Sequence, residues 1–142
     1  MQKLRAKFPV VVCCSLWNKE TKQFLIELRK AKGTFPGVWS FPGGKVEVDD
    51  DNPEVAICRE MQEEIDVLIH PRNLKRVGFS SYEYEERNLI LFYICEKWSG
   101  TPKAITAQEI KWVDIQELFQ LQKERKFMPS CCEFISDLEN KS

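Results

Sequence analysis

The spacing of hydrophobic residues divides the chain into short strands, one long amphipathic helix and smaller helical segments. β-Branched residues are dense in residues 9–17 and predict a buried strand. Gln23–Leu28 predicts a second strand, joined to the first by the polar turn "NKET". Residues 39–41 predict a very short strand, reached through the loop "KAKGTFPGVW" and followed by a Gly-Gly turn at residues 43–44. The first part of the chain therefore predicts a hairpin followed by a loop region.

The longest helix is predicted after Asn52 and Pro53, because Asn caps a helix and Pro suits its first position. Ile57, Met61 and Ile65 recur every four residues and form an apolar stripe. The helix should run to about residue 66 or 67.

The second half of the chain predicts further strands at 74–81, 87–96 and 109–113, the first two joined by "YEYEE". A D-x-x-E capping box at Asp114 predicts a helix to about residue 121, and a last helix is predicted at 130–138. This order predicts an α/β (α+β) sandwich, with a mixed β-sheet flanked by helices. Since no repeat or linker interrupts the 142 residues, we expect one domain over residues 1–142.

Composition and charge narrow the class of protein. The chain is 43% hydrophobic and 30% charged, which argues against disorder. A net charge of −1 argues against binding to a nucleic-acid polymer or a membrane surface. The six cysteines contain no C-x-x-C pair, and Cys13 and Cys14 should point to opposite faces of a strand. We therefore expect reduced thiols and a cytoplasmic protein.

The segment "FPGGKVEVDDDNPEVAICREMQEEI" (residues 41–65) carries the candidate chemistry. Glu60, Glu63 and Glu64 are spaced i, i+3 and i+4, so they share one helix face, and Arg59 is the only cation near them. Clustered carboxylates suit Mg²⁺ or Mn²⁺. An acidic helix face is also commonly just solvated, and spacing alone leaves both interpretations open.

The same segment resembles the Nudix box, G-x5-E-x7-R-E-U-x-E-E-x-G-U, in which U is aliphatic. The positions that match are Gly44, Arg59-Glu60-Met61, Glu63-Glu64 and Val67. The loop is one residue longer than the box, so its first acidic position is Asp50 or Asp51, and its last glycine is Asp66. The flanking segments "WSFPGGKVE" and "EKWSGTPKAITAQEIKWVDIQEL" resemble those of MutT-type Nudix hydrolases.

This resemblance implies the Nudix fold and the Mg²⁺-dependent hydrolysis of a nucleoside triphosphate to the monophosphate and pyrophosphate. For the MutT type it implies 8-oxo-dGTP as substrate, and so a role in DNA repair through cleaning of the nucleotide pool. Glu60, Glu63, Glu64 and the carbonyl of Gly43 are then the expected ligands of Mg²⁺ or Mn²⁺. Arg59 is expected to orient a glutamate.

Other site residues are implied by alignment with the same family. Arg29 and Arg87 match arginines that contact the nucleotide, Lys45 is a candidate phosphate contact, and Phe41 is a candidate for base stacking. Each has a plainer interpretation as a strand-end cation, a loop charge or a core aromatic residue.

Two departures from the family bear on substrate and catalysis. Where the family sets an Asn or Asp against the purine edge, this chain has Cys132, or alternatively Cys131. A thiol is a weak donor and acceptor and cannot replace an amide. A loop position that is often acidic is Thr106, which leaves the general base open.

Two other functions stay open on the sequence. One is a Nudix pyrophosphatase for an unmodified nucleoside triphosphate or a dinucleoside polyphosphate. The other is a non-catalytic nucleotide-sensing domain, which is disfavoured because the three helix glutamates are all present. The expected oligomeric state is a monomer or a homodimer.

Overall fold

The computed structural model of the protein describes residues 3–30, 37–84 and 86–141. Residues 31–36 of the predicted loop "KAKGTFPGVW", and Glu85 of "YEYEE", lie outside the described residues. The strands are β1 (Val10–Asn18), β2 (Gln23–Leu28), β3 (Trp39–Ser40), β4 (Gly43–Lys45), β5 (Leu74–Tyr84), β6 (Glu86–Cys95) and β7 (Glu109–Val113). The helices are α1 (Pro53–Ile65), α2 (Ile115–Lys123) and α3 (Cys132–Leu138).

Strand β1 lies at the centre of a mixed sheet. It pairs in parallel with β6 and antiparallel with β2 and β4. The remaining strands extend the sheet on both sides, β3 and β7 from β2 and β5 from β6, in the order β3-β2-β1-β6-β5 with β7 branching from β2. The predicted mixed sheet is confirmed.

Helices cover both faces of this sheet. Cys13 belongs to the core that α2 and α3 cover, together with Phe92 and Phe134. Cys14, the next residue, packs into the second core with Ile57 and Met61 of α1. Because neighbouring strand residues alternate between faces, the two cysteines separate as predicted. None of the helices in the described residues is long and apolar enough to cross a membrane.

Local signals define both ends of α1. The Asn52 Oδ1 atom accepts a hydrogen bond from the Val55 N–H at 2.9 Å, which caps the first turn. The helix ends at Ile65, and Asp66 follows in the left-handed conformation, with φ at 60°. The Nudix box has glycine at this position, and aspartate is among the few other residues that visit the conformation readily. The departure at Asp66 therefore leaves the helix end intact.

The structure corrects the predicted Gly-Gly turn. Gly43 and Gly44 lie in β4 with negative φ, paired with Cys13 and Val12 of β1. A Cβ on Gly43 would overlap the Val12 carbonyl oxygen, so this glycine allows a close approach of two strands and makes no turn. Two element boundaries also differ. Strand β5 extends into "YEYEE", and α3 begins later than predicted because Pro129–Cys131 forms a 3₁₀ turn.

A polar contact fastens the first turn of α1 to the sheet. The Tyr93 hydroxyl donates to Glu54 Oε2 at 2.6 Å, and Arg76 Nη2 donates to Glu54 Oε1 at 3.1 Å. The Tyr93 hydrogen bond, with help from Arg76, lowers the pKa of Glu54. A lowered folded-state pKa contributes stability at neutral pH that is lost as the pH falls through that pKa.

We expect Tyr93→Phe to lower the free energy of unfolding by about 1–3 kcal/mol at pH 7, because it removes a hydrogen bond to a charged group. The deficit should be smaller at pH 3 than at pH 7, because the stability that comes from the lowered pKa of Glu54 is lost as the pH falls through that pKa. Urea unfolding at both pH values measures this, and an equal deficit at pH 3 would contradict the role given to the Glu54 charge.

Candidate active site

Arg59 is the centre of an ion-pair network on the polar face of α1. Its Nε and Nη2 atoms donate to the two carboxylate oxygens of Asp50 at 3.0 and 2.8 Å. Its Nη1 atom donates to Glu60 at 3.0 Å and to Glu63 at 3.3 Å. The hydrogen bonds from Arg59 lower the pKa of Asp50. Asp50, and not the exposed Asp51, therefore stands at the first acidic position of the box.

Glu60 lies in a recess that the second glycine of β4 provides. A Cβ on Gly44 would overlap the Glu60 carboxylate, so the absence of a side chain there makes room for it. The Glu60 side chain is only 13% exposed, whereas that of Glu63 is 56% exposed. Burial raises the pKa of Glu60 in spite of its contact with Arg59. The three helix glutamates thus share a face but have unequal surroundings.

Glu64 is held against the same strand and faces a carboxylate that the sequence did not single out. Its Oε2 atom accepts a hydrogen bond from the Gly43 N–H at 2.8 Å. Glu27, in the middle of β2, is 6% exposed, and its Oε2 atom has no hydrogen-bond partner. Burial raises the pKa of both glutamates; repulsion from Glu27 adds to the rise at Glu64, and repulsion from Glu60 adds to the rise at Glu27 against the opposing effect of Arg29. The signal that was available in the sequence is a lone charge inside the apolar strand "QFLIEL".

Two neighbouring cavities meet at Glu27 and Arg29. The first, the acidic cavity, has a volume of about 210 Å³. It is lined by Glu27, Arg29, Lys30, Glu64, Thr106 and Ala107. The second, the thiol cleft, has a volume of about 100 Å³. It is lined by Val11, Val12, Cys13, Glu27, Arg29, Ser40, Phe41, Gly43, Gly44, Ile90, Met128, Ser130 and Cys131.

The structure brings some of the predicted substrate contacts to these cavities. Arg29 lines both, and Phe41 lines the thiol cleft. Phe41 is 3% exposed and packs in the core against Phe92 and Phe127, with ring centroids 4.6 and 5.1 Å apart. Phe41 therefore offers the cleft only part of its ring, and the core interpretation accounts for most of its surface.

Cys132 does not line the thiol cleft, and Cys131 does. The Cys132 thiol lies 3.5 Å from the Met128 carbonyl oxygen, to which it can donate. The 3₁₀ turn Pro129–Cys131 precedes α3, and of the two thiols that the sequence left open Cys131 is the one that lines the cleft. Which thiol contacts the nucleobase stays a prediction.

Lys45 and Arg87 line neither cavity. The Lys45 side chain is exposed, and its backbone carbonyl accepts a hydrogen bond from Arg59 at 3.3 Å. Arg87 lies in the β5–β6 hairpin, where it donates to the Ser81 hydroxyl at 3.1 Å and to Glu83 at 3.4 Å. Neither side chain is brought to the two cavities, and the nucleotide contacts of Lys45 and Arg87 stay predictions.

Comparison with known proteins agrees with this arrangement. The family model described as the NUDIX domain matches residues 7–131. The chain belongs to the Nudix family of hydrolases. It is 31% identical over 101 residues to the 8-oxo-dGTP diphosphatase of Proteus vulgaris, covering 70% of this chain and 84% of that protein. It is 29% identical over 105 residues to the enzyme of that name from Escherichia coli strain K12, covering 73% of this chain and 79% of that protein.

A solved structure supports the Nudix fold. The solution structure of the E. coli ORF135 protein superposes with a TM-score of 0.79 and 22% identity, covering 94% of this chain and 90% of that chain. This likeness shows that the fold of the chain is shared with a solved structure over nearly its whole length.

Nudix hydrolases generally use divalent metal ions, and the donor groups of this chain fit that use. Across residues 3–30, 37–84 and 86–141, no three Asp, Glu, Cys or His side chains converge closely enough to hold a cation as they stand. Arg59 engages Glu60 and Glu63, and the Gly43 N–H engages Glu64. The sheltered and mutually repelling carboxylates nevertheless make a donor set that a divalent cation stabilises. Glu60, Glu63 and Glu64 lie on one helix face, so changes of side-chain rotamer can bring their carboxylates toward one another.

Proposed function

We propose that this chain hydrolyses a nucleoside triphosphate to the monophosphate and pyrophosphate with Mg²⁺ or Mn²⁺, and that 8-oxo-dGTP is its substrate. The observation that carries the proposal is the group of sheltered carboxylates behind Gly43 and Gly44, beside cavities that Arg29 lines. The two relatives named 8-oxo-dGTP diphosphatase support the substrate.

In this mechanism the helix face holds the cation. Glu60, Glu63, Glu64 and the Gly43 carbonyl are its ligands, and Arg59 fixes the orientation of Glu60 from its anchor on Asp50. When bound, the cation neutralises phosphate oxygens and favours attack of water on the diphosphate bridge. Arg29 lies where a guanidinium can pair with a phosphate oxygen.

The general base is a carboxylate of the same group. Thr106 lines the acidic cavity, but a hydroxyl is too weakly basic to accept a proton from water at neutral pH. The helix-face glutamates Glu60, Glu63 and Glu64 are the nearest carboxylates, and one whose oxygen the cation leaves free is the proposed proton acceptor.

The nucleobase of the substrate binds in the thiol cleft, whose walls are largely apolar. The side chains of Val11, Ile90 and Met128 offer apolar contact to the nucleobase. The Cys131 thiol is a weak hydrogen-bonding group. An apolar or thiol-lined pocket separates related bases by only about 1–3 kcal/mol, whereas paired hydrogen bonds give far larger ratios. We therefore expect kcat/KM for 8-oxo-dGTP to exceed that for dGTP by about 10- to 200-fold.

Cys131→Ser should change this preference, because a hydroxyl is a stronger donor and acceptor than a thiol. Cys132→Ser is the matched control and should leave the ratio unchanged, since its side chain faces the Met128 carbonyl. Steady-state kinetics with both nucleotides measure the ratio. Suppose instead that the wild type prefers 8-oxo-dGTP over dGTP by about four orders of magnitude. Paired hydrogen bonds would then recognise the nucleobase, and it would not bind in the thiol cleft as proposed.

A nucleotide panel with Mg²⁺ tests the proposed substrate against its alternatives. We expect 8-oxo-dGTP to be hydrolysed with higher kcat/KM than unmodified nucleoside triphosphates or dinucleoside polyphosphates. A preference for one of those compounds would assign the site to another Nudix pyrophosphatase activity. Tight nucleotide binding without turnover would support a sensing domain.

We also propose that the protein works in the cytoplasm. All six cysteines are free thiols, and none of them is fully exposed. Reducing agent should then leave the melting temperature unchanged, as differential scanning fluorimetry can measure. A large decrease on reduction would reveal a disulfide and contradict this location.

A further inference from the structure

Glu27 is a buried glutamate with one carboxylate oxygen that has no hydrogen-bond partner. It lies in β2 next to the fully buried Ile26, and 6% of its surface is exposed. Its Oε2 atom accepts no hydrogen bond. Buried carboxylate oxygens are nearly always paired, because the charged form is costly to remove from water. A carboxylate of this kind at the wall of two cavities therefore points to a ligand that pairs with it.

A second unpaired polar atom lies beside Glu27. Ser40 of β3 is its direct cross-strand neighbour, and the Ser40 Oγ atom is also buried without a partner. Directly opposed residues of antiparallel strands project to the same face of the sheet. Both side chains line the thiol cleft. The two unpaired oxygens thus lie at neighbouring points on the wall of the cleft.

The charges around Glu27 indicate the sign of the charge on the ligand. Glu27 and Glu64 line the same acidic cavity, and Glu60 acts on both of them electrostatically. Thr106 also lines this cavity and carries no charge. Arg29, which follows the end of β2, offsets part of the negative charge, and the exposed Lys30 lines the cavity as well. The three sheltered carboxylates outnumber these two cations, which favours a divalent cation over an anion.

We propose that Glu27 is a further ligand of the divalent cation, supplying a carboxylate from the sheet where Glu64 supplies one from the helix. This inference rests on the proposed function, because it concerns the same cation. The competing explanation is that Glu27 is a structural partner of Arg29 only. In that case Glu27 stabilises the free protein and contributes nothing to metal binding.

Glu27→Gln separates these explanations, because it keeps the shape of the side chain and removes its charge. Mn²⁺ is added to nucleotide-free protein, and free Mn²⁺ is followed by electron paramagnetic resonance. We expect the affinity of the variant for Mn²⁺ to fall by about 10-fold or more. The melting temperature in EDTA should stay the same or rise, and the increase that Mn²⁺ causes should be smaller than in wild type.

Glu109→Gln is the matched control. Glu109 is an exposed strand glutamate in β7, which pairs with β2, and its removal should not change Mn²⁺ affinity. Equal Mn²⁺ affinity in wild type and Glu27→Gln would overturn the inference and leave the proposed function standing. A strong loss of stability in EDTA would also overturn it, in favour of the Arg29 pair. Failure of the wild type to bind Mn²⁺ would overturn the proposed function as well.

Discussion

Glu64→Gln is expected to lower kcat by at least about 100-fold, equivalent to about 2.7 kcal/mol of transition-state stabilisation, and at the same time to raise the melting temperature of the metal-free protein. The first effect follows from loss of a charged ligand. The second follows from the raised pKa of Glu64, since burial and repulsion by Glu27 and Glu60 make its ionised form costly in the folded state. The glutamine oxygen can still accept the hydrogen bond from Gly43.

The sign of the stability change depends on pH. A carboxyl whose folded-state pKa is raised binds more protons folded than unfolded, so wild-type stability falls as the pH rises above the ordinary glutamate value. The gain from Glu64→Gln should therefore be larger at pH 8 than at pH 5. Thermal unfolding in EDTA at both pH values measures it, alongside turnover at saturating Mg²⁺.

Two other substitutions control for this result. Glu63→Gln should also reduce turnover by orders of magnitude, but without a gain in stability, because Glu63 is exposed and its carboxylate contacts Arg59. Glu133→Gln, on the exposed face of α3, should change neither quantity. If Glu64→Gln turned over substrate at the wild-type rate, Glu64 would not be a ligand of the catalytic cation. A lower melting temperature would show that its charge is structural.

Gly44→Ala is expected to reduce turnover by up to about 100-fold with little change in melting temperature. The new Cβ would overlap the Glu60 carboxylate, which is the flexible end of a long side chain and can move aside. Moving it displaces a proposed ligand and disturbs its hydrogen bond with Arg59. The fold is spared because no backbone atom has to shift.

Gly43→Ala is the matched comparison and should destabilise the fold, with turnover also reduced because Gly43 supplies a proposed ligand and holds Glu64. Its Cβ would overlap the Val12 carbonyl oxygen and approach the Cys13 backbone, so β1 and β4 must separate. We expect a loss of about 1–3 kcal/mol in the free energy of unfolding, the usual cost of overpacking. Melting temperatures and kcat of both variants test the pair. Equal destabilisation would show that Gly44, too, is needed for strand approach and not for Glu60.

Local signals in the sequence were enough to predict α1 and the chemistry on it. The Asn52 cap, the Pro53 start and the apolar stripe all act within one helix, so they can be interpreted without knowing the rest of the fold. Strand β4 was missed because its pairing with β1 joins segments about thirty residues apart in the chain. A Gly-Gly pair predicts a turn when only the local sequence is considered, and the paired strand that keeps it extended is distant in the chain.

The surroundings of the site depended on tertiary packing. Glu27 is buried only because β3, β7 and α1 close around β2, and strand propensity carries no information about that. The sequence left open which of Cys131 and Cys132 lines the cleft, and a 3₁₀ turn shifts the start of α3 at this point. Boundaries of this kind are set by the last few hydrogen bonds of an element and are poorly encoded in local sequence.

We propose that the carboxylates behind Gly43 and Gly44 support metal-dependent cleavage of a nucleoside triphosphate. Identification of the reaction products tests this most directly. Purified protein is incubated with 8-oxo-dGTP and Mg²⁺, and phosphorus-31 NMR follows the phosphates. We predict equal amounts of nucleoside monophosphate and pyrophosphate, and no reaction when EDTA replaces Mg²⁺. Release of orthophosphate with nucleoside diphosphate, or undiminished turnover in EDTA, would contradict the account.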